Sequence, residues 1–179
     1  MDFLASIGAT AGLLILAVSA YHHLHNRRML EDALSAHGVP SQTLRTGLSI
    51  VIAAIESALA ILGIVAVAFV EPIIGTTFAA ITGMYVLYAL YATWLLKAHP
   101  QSPCGCSAHQ YPVNLWVPLR AAGLSCGTAV AAAASNHVYT ATDHFQNLVA
   151  AIAGVACGAI LWALPEAMAQ PAAAQVEAA

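Results

Sequence analysis

Five apolar runs divide the chain, each near the ~20 residues that a helix needs to cross a bilayer. They cover Phe3–Tyr21, Thr46–Val70, Pro72–Leu96, Leu115–Ala134 and Asn147–Leu164. The first and third carry no charged side chain, the second holds Glu56 and the fourth holds Arg120. The pattern predicts an all-α, polytopic transmembrane helical bundle of about five spans, a four-helix core plus one. Four spans with an interfacial segment is the alternative. Residues 1–164 read as a single bundle domain. Residues 165–179 form an Ala/Pro-rich tail with little to pack, which is expected to be disordered.

The connections differ in charge. In the first, Met29-Leu30-Glu31-Asp32-Ala33-Leu34 precedes Gly38-Val39-Pro40, which predicts a short amphipathic helix stopped by Gly and Pro. Leu30 and Leu34 share a face, so this helix is expected to rest on the membrane surface. The second connection is a tight Glu71-Pro72 turn. Arg27, Arg28 and Arg45 lie in the first connection and Lys97 opens the third, whereas the second and fourth have neither Lys nor Arg. The positive-inside rule therefore sets the first and third connections on the cytoplasmic side and the N-terminus outside. Gly8 and Gly12 in the first run, and Ala150, Gly154 and Gly158 in the fifth, recur at close-packing spacing. They predict contacts within the bundle rather than a dimer interface.

Composition narrows the class. Of 179 residues, 60% are hydrophobic and 7% charged, and the mean hydropathy is +0.78. Soluble domains carry about a quarter charged residues. This is the make-up of a multi-pass protein of the cell (inner or cytoplasmic) membrane, with the lipid bilayer as its first partner. The net charge of −3 rests on too few groups to point to a partner, and without a basic patch nucleic-acid binding is not expected. The first run lacks a positive n-region, Asp2 being the only early charge, and shows no convincing cleavage site, so it reads as a retained span.

Four cysteines are too few for a disulfide scaffold. Cys104 and Cys106, however, stand one residue apart in the polar third connection. A disulfide there closes a very small ring, whereas good geometry wants Cα atoms roughly 4.4–6.8 Å apart. Gly105 eases the backbone because it tolerates positive φ. Such a bond would be strained and suited to exchange rather than stapling. As thiolates the pair could instead hold Cu(I) or Zn. His109 and His99 would be further ligands, although zinc sites usually space their cysteines by about two to four residues. Redox exchange is favoured over metal binding and over two inert loop thiols, and no metal site is assigned. In such exchange one thiolate attacks a partner disulfide, a mixed disulfide forms, and the second cysteine resolves it.

Glu56 lies near the middle of the second run, where an unpaired charge costs at least ~2.5–3.5 kcal/mol. It must face the interior, pair, or take up a proton. Arg120 is either its partner or a charge that holds the thiolate form of the cysteine pair. Tyr85, Tyr88, Tyr91 and Trp94 recur every third residue toward the cysteine loop. They could line a pocket for a flat quinone ring, but packing, with Trp94 and Trp116 at the interface, is the favoured reading. A quinone is thus the one cofactor in view, and none is certain. Cys126 and Cys157 read as small hydrophobes, a buried electron-relay pair being the minority alternative. His22, His23 and His25 close the first run. His22 and His25 share a face, but a solvated interfacial cluster is expected over a metal site. The candidate catalytic set is therefore Cys104 and Cys106, with Arg120 tuning them and Glu56 anchoring the bundle or handling protons.

These residues resemble the MauE family, the membrane component of methylamine utilisation systems, and more distantly the DoxX-like membrane proteins. The resemblance runs from the first span to about Ala134. It rests on the charged first connection ending in Gly38-Val39-Pro40, on Ile55-Glu56 and on the Tyr-rich third run. Most specific is Cys104-Gly105-Cys106, followed by Pro112-Val113 and Arg120. Where the family usually reads Cys-Gly-Cys-Phe-Gly, this chain continues Ser107-Ala108-His109.

The resemblance implies an accessory redox role beside a periplasmic thioredoxin-like partner. The pair would support disulfide formation in a client such as methylamine dehydrogenase, whose small subunit carries many disulfides and a tryptophan-derived quinone cofactor. The chain would then be a thiol–disulfide oxidoreductase component, not the dehydrogenase. Such a partner reaches the cysteine loop from outside, whereas the arginines place it inside. Either the charge bias misleads, or the loop folds into the bundle and is reached from outside, or it meets a cytoplasmic reductant and the bundle passes electrons outward. Two other classes stay open. One is a Cu/Zn-handling membrane protein using Cys104, Cys106 and His109. The other is a non-catalytic assembly or accessory subunit of a larger membrane complex, in which Cys104→Ser and Cys106→Ser would be silent.

Overall fold

Every apolar run folds as a helix, because inside lipid a backbone must satisfy its own hydrogen bonds. The computed structural model describes residues 2–69, 71–105, 112–135, 138 and 144–168. Its helices are α1 (Asp2–His25), α2 (Arg27–Ala36), α3 (Gln42–Phe69), α4 (Ile74–Ala98), α5 (Trp116–Ala133) and α6 (His144–Ala167), with no strand among the described residues. A single 3₁₀ turn, Glu71–Ile73, joins α3 to α4 where the Glu-Pro turn was expected. Helices α1, α3, α4 and α6 are long and apolar enough to cross a membrane. α5 has 18 residues, about 27 Å at 1.5 Å per residue, slightly less than the ~30 Å hydrocarbon core. Four membrane-length helices plus α5 make the bundle of about five spans that the hydropathy pattern predicts.

α1 is central, packed on α3, α5 and α6, while α4 lies along α5 and touches α3 more lightly. The buried positions of α1 include Ala5, Ala9, Gly12, Leu16, Ser19 and His23, one face at helical period. α3 buries Ser49, Ala53, Glu56, Ala60, Gly63 and Ala66, a stripe of small residues interrupted by one carboxylate. Its large side chains face outward, as at Ile61, which is 62% exposed. Burying leucine gains nothing over lipid, so the helices associate through close backbone approach instead. A Cβ placed on Gly8 would stand 2.3 Å from the Gly127 carbonyl oxygen, and one on Gly154 would stand 2.5 Å from Thr10 Cβ. Both glycine series therefore pack within the bundle.

The amphipathic α2 departs from its expected place on the membrane surface. Its apolar face, Leu30, Ala33 and Leu34, is buried in the protein, because the third connection offers it cover. Ala33 Cβ is the closest side-chain atom to the position a Cβ on Gly105 would take, at 2.7 Å. α2 stops as its sequence predicts. Gly38 takes φ +85°, Val39 N donates to Leu34 O (3.1 Å) and Gly38 N donates to Ser35 O (3.0 Å), the Schellman arrangement.

The cysteine loop has a closed neck. Val113 N donates to Ser102 O (3.0 Å) and Pro103 pairs with Pro112 across it. Cys104 follows the neck and Gly105 takes φ +72°. Cys106 and His109 lie outside the described residues. α5 opens on Asn114, whose Oδ1 accepts from Trp116 N (3.0 Å), and Pro118 sits in the first turn, where helical N–H groups have no partner to lose. α6 continues through Pro165 to Ala167, past the expected start of the tail. Asn114 Nδ2 donates to the Pro165 carbonyl (2.9 Å), so the end of α6 is tied to the start of α5. Residues 169–179 of the tail lie outside the described residues.

Candidate functional site

Three helices meet at one carboxylate. Glu56 is fully buried (0% exposed), and α1 and α4 bring polar groups to both of its oxygens. Ser19 Oγ donates to Oε1 (3.0 Å) and Tyr88 Oη donates to the same oxygen (2.5 Å). His23 Nδ1 stands 2.6 Å from Oε2. The partner of Glu56 is thus His23, not the Arg120 that its sequence suggested. α1 packs directly on α3, whereas α5 packs chiefly on α4 and α1.

His23 also reaches the cysteine loop, its Nε2 lying 3.3 Å from Gly105 O. A carbonyl can only accept, so that nitrogen carries a proton. Nδ1 and Oε2 would then repel at 2.6 Å unless a second proton lay between them. Imidazole and carboxylate therefore share one proton, and the pair is neutral as a whole.

A second histidine holds the other side of Cys104. His37 Nε2 donates to Pro103 O (2.8 Å), which leaves Nδ1 to accept from Tyr91 Oη (2.8 Å). His37 is 6% exposed, and burial lowers its pKa from the ordinary imidazole value. The Pro103 hydrogen bond opposes that shift, and the neighbouring His99 adds to it. Both carbonyls flanking Cys104 are thereby held by buried imidazoles.

Beneath the loop lies a cavity of about 480 Å³ whose walls include Cys104, Glu56, His23, His37, Arg120 and Trp162. Tyr85, Tyr88 and Tyr91 line it as well, so the tyrosine stripe read as packing forms a cavity wall. Tyr85 Oη donates to Gly12 O (2.7 Å), which gives each of the three hydroxyls a defined acceptor. Trp94 lies outside the walls and stacks on Tyr91 at 5.7 Å.

Arg120 is 8% exposed, with its guanidinium 5.6 Å from the centroid of the Trp162 ring. Trp162 stacks in turn on His22 (5.7 Å). The Arg120 guanidinium makes no ion pair or hydrogen bond among the described residues. Among the described residues no buried side-chain nitrogen or oxygen lacks a partner, and Arg120 is one of the residues that line the cavity.

Cys126 and Cys157 are free thiols on exposed faces of α5 and α6, not the buried relay pair that was the minority alternative. His22 and His25 both stack on aromatic rings at the end of α1. Among the described residues no group of three or more His, Cys, Asp or Glu could hold a metal ion.

Three polar contributors went unmarked in the sequence: Ser19, His23 as a partner rather than part of a solvated cluster, and His37. For the first two a signal existed. They extend the buried face of α1 through Leu16, Ser19 and His23, at the end of the bundle where a buried carboxylate needs donors. His37 had none, because it caps a short helix in a connection without periodicity.

The fold and the site define a multi-pass helical membrane protein whose cysteine loop is anchored on a buried histidine–carboxylate pair. Residues 1–135 match the family model described as Methylamine utilisation protein MauE. The chain belongs to the MauE family. The match takes in α1 to α5 and the segment holding Cys104 and Cys106, and α6 lies beyond it. No curated protein and no solved structure matches the chain.

Proposed function

We propose that the chain is a membrane thiol–disulfide exchange protein of the cytoplasmic membrane. In this reading Cys104 and Cys106 trade electrons with a thioredoxin-like partner during maturation of a client such as an amine dehydrogenase. The observation that carries it is the grip on both sides of Cys104, where Pro103 O and Gly105 O each meet a buried imidazole. A loop fixed by two tertiary contacts beside a cavity holds a thiol at a set position, which exchange with a docked partner requires and an inert surface thiol does not. Arg120 lines the same cavity, and a nearby cation favours the thiolate.

In the direction that oxidises a client, a partner thiolate attacks the Cys104–Cys106 disulfide. One sulfur bonds to the partner and the other leaves as thiolate. The partner's second thiolate then attacks the mixed disulfide. The partner departs with its own disulfide, and this chain is left as a dithiol, having gained two electrons and two protons.

The test is to express Cys104→Ser and Cys106→Ser separately in cells that hold the thioredoxin-like protein and its client. One variant should retain the partner as a mixed disulfide on non-reducing gels, and both should leave client disulfides incomplete. Wild-type client maturation in both, with no trapped adduct, would refute exchange and leave a role in assembly.

A further inference from the structure

We propose that the cavity beneath the cysteine loop is a binding site for a lipid-borne quinone, whose head accepts hydrogen bonds from Arg120. Its redox part rests on the exchange reading above, and its binding part stands without it.

The strongest observation is Arg120 itself. Its guanidinium is 8% exposed, lies over one indole, makes no hydrogen bond or ion pair with the described residues, and lines the cavity. Inside a bundle an unpartnered cation is costly, and the cavity that Arg120 lines is where a partner can be bound. A ligand that brings oxygen acceptors into this mostly apolar chamber would supply that partner. At about 480 Å³, the chamber falls within the range of small-molecule sites, roughly 300–1,000 Å³. Its remaining walls are mostly aliphatic and aromatic, Leu16, Ile52, Leu95 and Tyr85 among them. A flat ring bearing carbonyls meets both demands.

The chamber also borders the lipid. Leu48 and Ile52 of α3 and Leu87 and Tyr91 of α4 line it, and Leu87 and Tyr91 are 63% and 40% exposed. α3 and α4 touch lightly, so an apolar tail can leave between them while the head stays inside.

Chemistry supplies the reason for the ligand. A dithiol left by exchange must lose two electrons before the next cycle. With a quinone, a sulfur–sulfur bond forms, two S–H bonds break, and both quinone carbonyls become hydroxyls. The two thiol protons end on the quinone oxygens, with the proton shared by His23 and Glu56 as an intermediate station. Arg120 would stabilise negative charge on the ring oxygen as reduction proceeds.

The experiment uses the purified full-length chain in nanodiscs of neutral phospholipid. The probe is a decyl-tailed dimethoxy-methyl-benzoquinone, with decylbenzene as the tail-matched control. Binding is read by quenching of tryptophan fluorescence, and reduction by loss of quinone absorbance. Saturable binding is expected in the wild type and in Cys104→Ser/Cys106→Ser. It should weaken at least tenfold in Arg120→Gln and in the cavity-filling Ala92→Leu, each first shown to be monodisperse. The reduced wild type alone should consume quinone, one per cysteine pair.

Binding without reduction by the wild type would overturn the redox reading and leave the site standing. Decylbenzene binding as tightly as the quinone, or displacement of the quinone by added phosphatidylglycerol, would overturn the quinone site. Trapped mixed disulfides would then still support exchange.

Discussion

Replacing Glu56 separates two accounts of what holds the bundle at the cysteine loop. In Glu56→Ala, Ser19, Tyr88 and His23 lose their acceptor. Each orphaned donor costs about 1–3 kcal/mol if it stays buried. The adjoining cavity offers partial relief, so the total should approach the roughly 3–5 kcal/mol typical of breaking a buried pair from one side.

Glu56→Gln differs in kind. Its amide oxygen still accepts from Ser19 and Tyr88, and its NH₂ donates to Nδ1 of a neutral His23 that keeps its Nε2 proton on Gly105 O. Every hydrogen bond survives while the charge is gone, and the cost should stay below about 1.5 kcal/mol, that of a single hydrogen bond. The double-mutant cycle of Glu56→Ala with His23→Ala then measures the pair itself. Interhelical hydrogen bonds in membranes average only about 0.6 kcal/mol by such cycles. A coupling above roughly 2 kcal/mol, within the range seen for directly interacting residues, would identify a proton-sharing ionic pair. Reversible unfolding in mixed micelles with rising SDS fraction reads the wild type and the four variants. A Glu56→Gln variant as unstable as Glu56→Ala, or a coupling near 0.6 kcal/mol, would refute the argument.

His37 gives a pH dependence with a definite sign. Its pKa is lowered in the folded state, mainly by burial, so the unfolded chain binds the proton more readily. Stability contributed by neutral His37 is full above the ordinary imidazole pKa of about 6.5 and is lost as pH falls below it. The thermal midpoint should drop further between pH 7.5 and 5.5 in the wild type than in His37→Gln, and equal drops would sink the assignment. At the α1–α5 contact, Gly8→Ala would push a methyl to 2.3 Å from the Gly127 carbonyl oxygen, whereas a Cβ on Gly127 would stand 3.3 Å from Gly8 Cα. Gly8→Ala should therefore cost about 1–3 kcal/mol in the same SDS titration, as overpacking does. Gly127→Ala should cost less, and a reversed order would show that the helices approach differently.

Much of the architecture was legible because lipid leaves the chain few options. Long apolar runs must be helices, glycines at helical spacing mark close approaches, and Gly38 followed by Pro40 stops α2. The side-chain partners were less legible, for reasons that differ by residue. Glu56 announced that it needed a partner but not which one, since pairing depends on which helix packs against α3. The buried period of α1 passes through Ser19 and His23, and that face could have named them. The tyrosines of α4 could not be judged in advance. Whether such a stripe packs or lines a cavity depends on what stands opposite, and here the facing α3 wall is Leu48, Ile52 and Glu56. The inward turn of α2 also needed tertiary knowledge, because an amphipathic face finds membrane and protein cover equally acceptable.

The two histidines do more than pin a loop, because both connections end on the same helix. From Gly105 O the contacts run through His23 and Glu56 to Tyr88. From Pro103 O they run through His37 to Tyr91. Tyr88 and Tyr91 are three residues apart on α4, hence neighbours on one face, and both line the cavity. The carbonyls on either side of Cys104 are therefore referred to one face of one span. Each tyrosine is thereby linked to the cysteine backbone through one or two hydrogen-bonded side chains. If the cavity holds the proposed ligand, these contacts give its occupancy a direct route to the thiol loop. A buried carboxylate, two imidazoles and two phenols are thus connected to one loop.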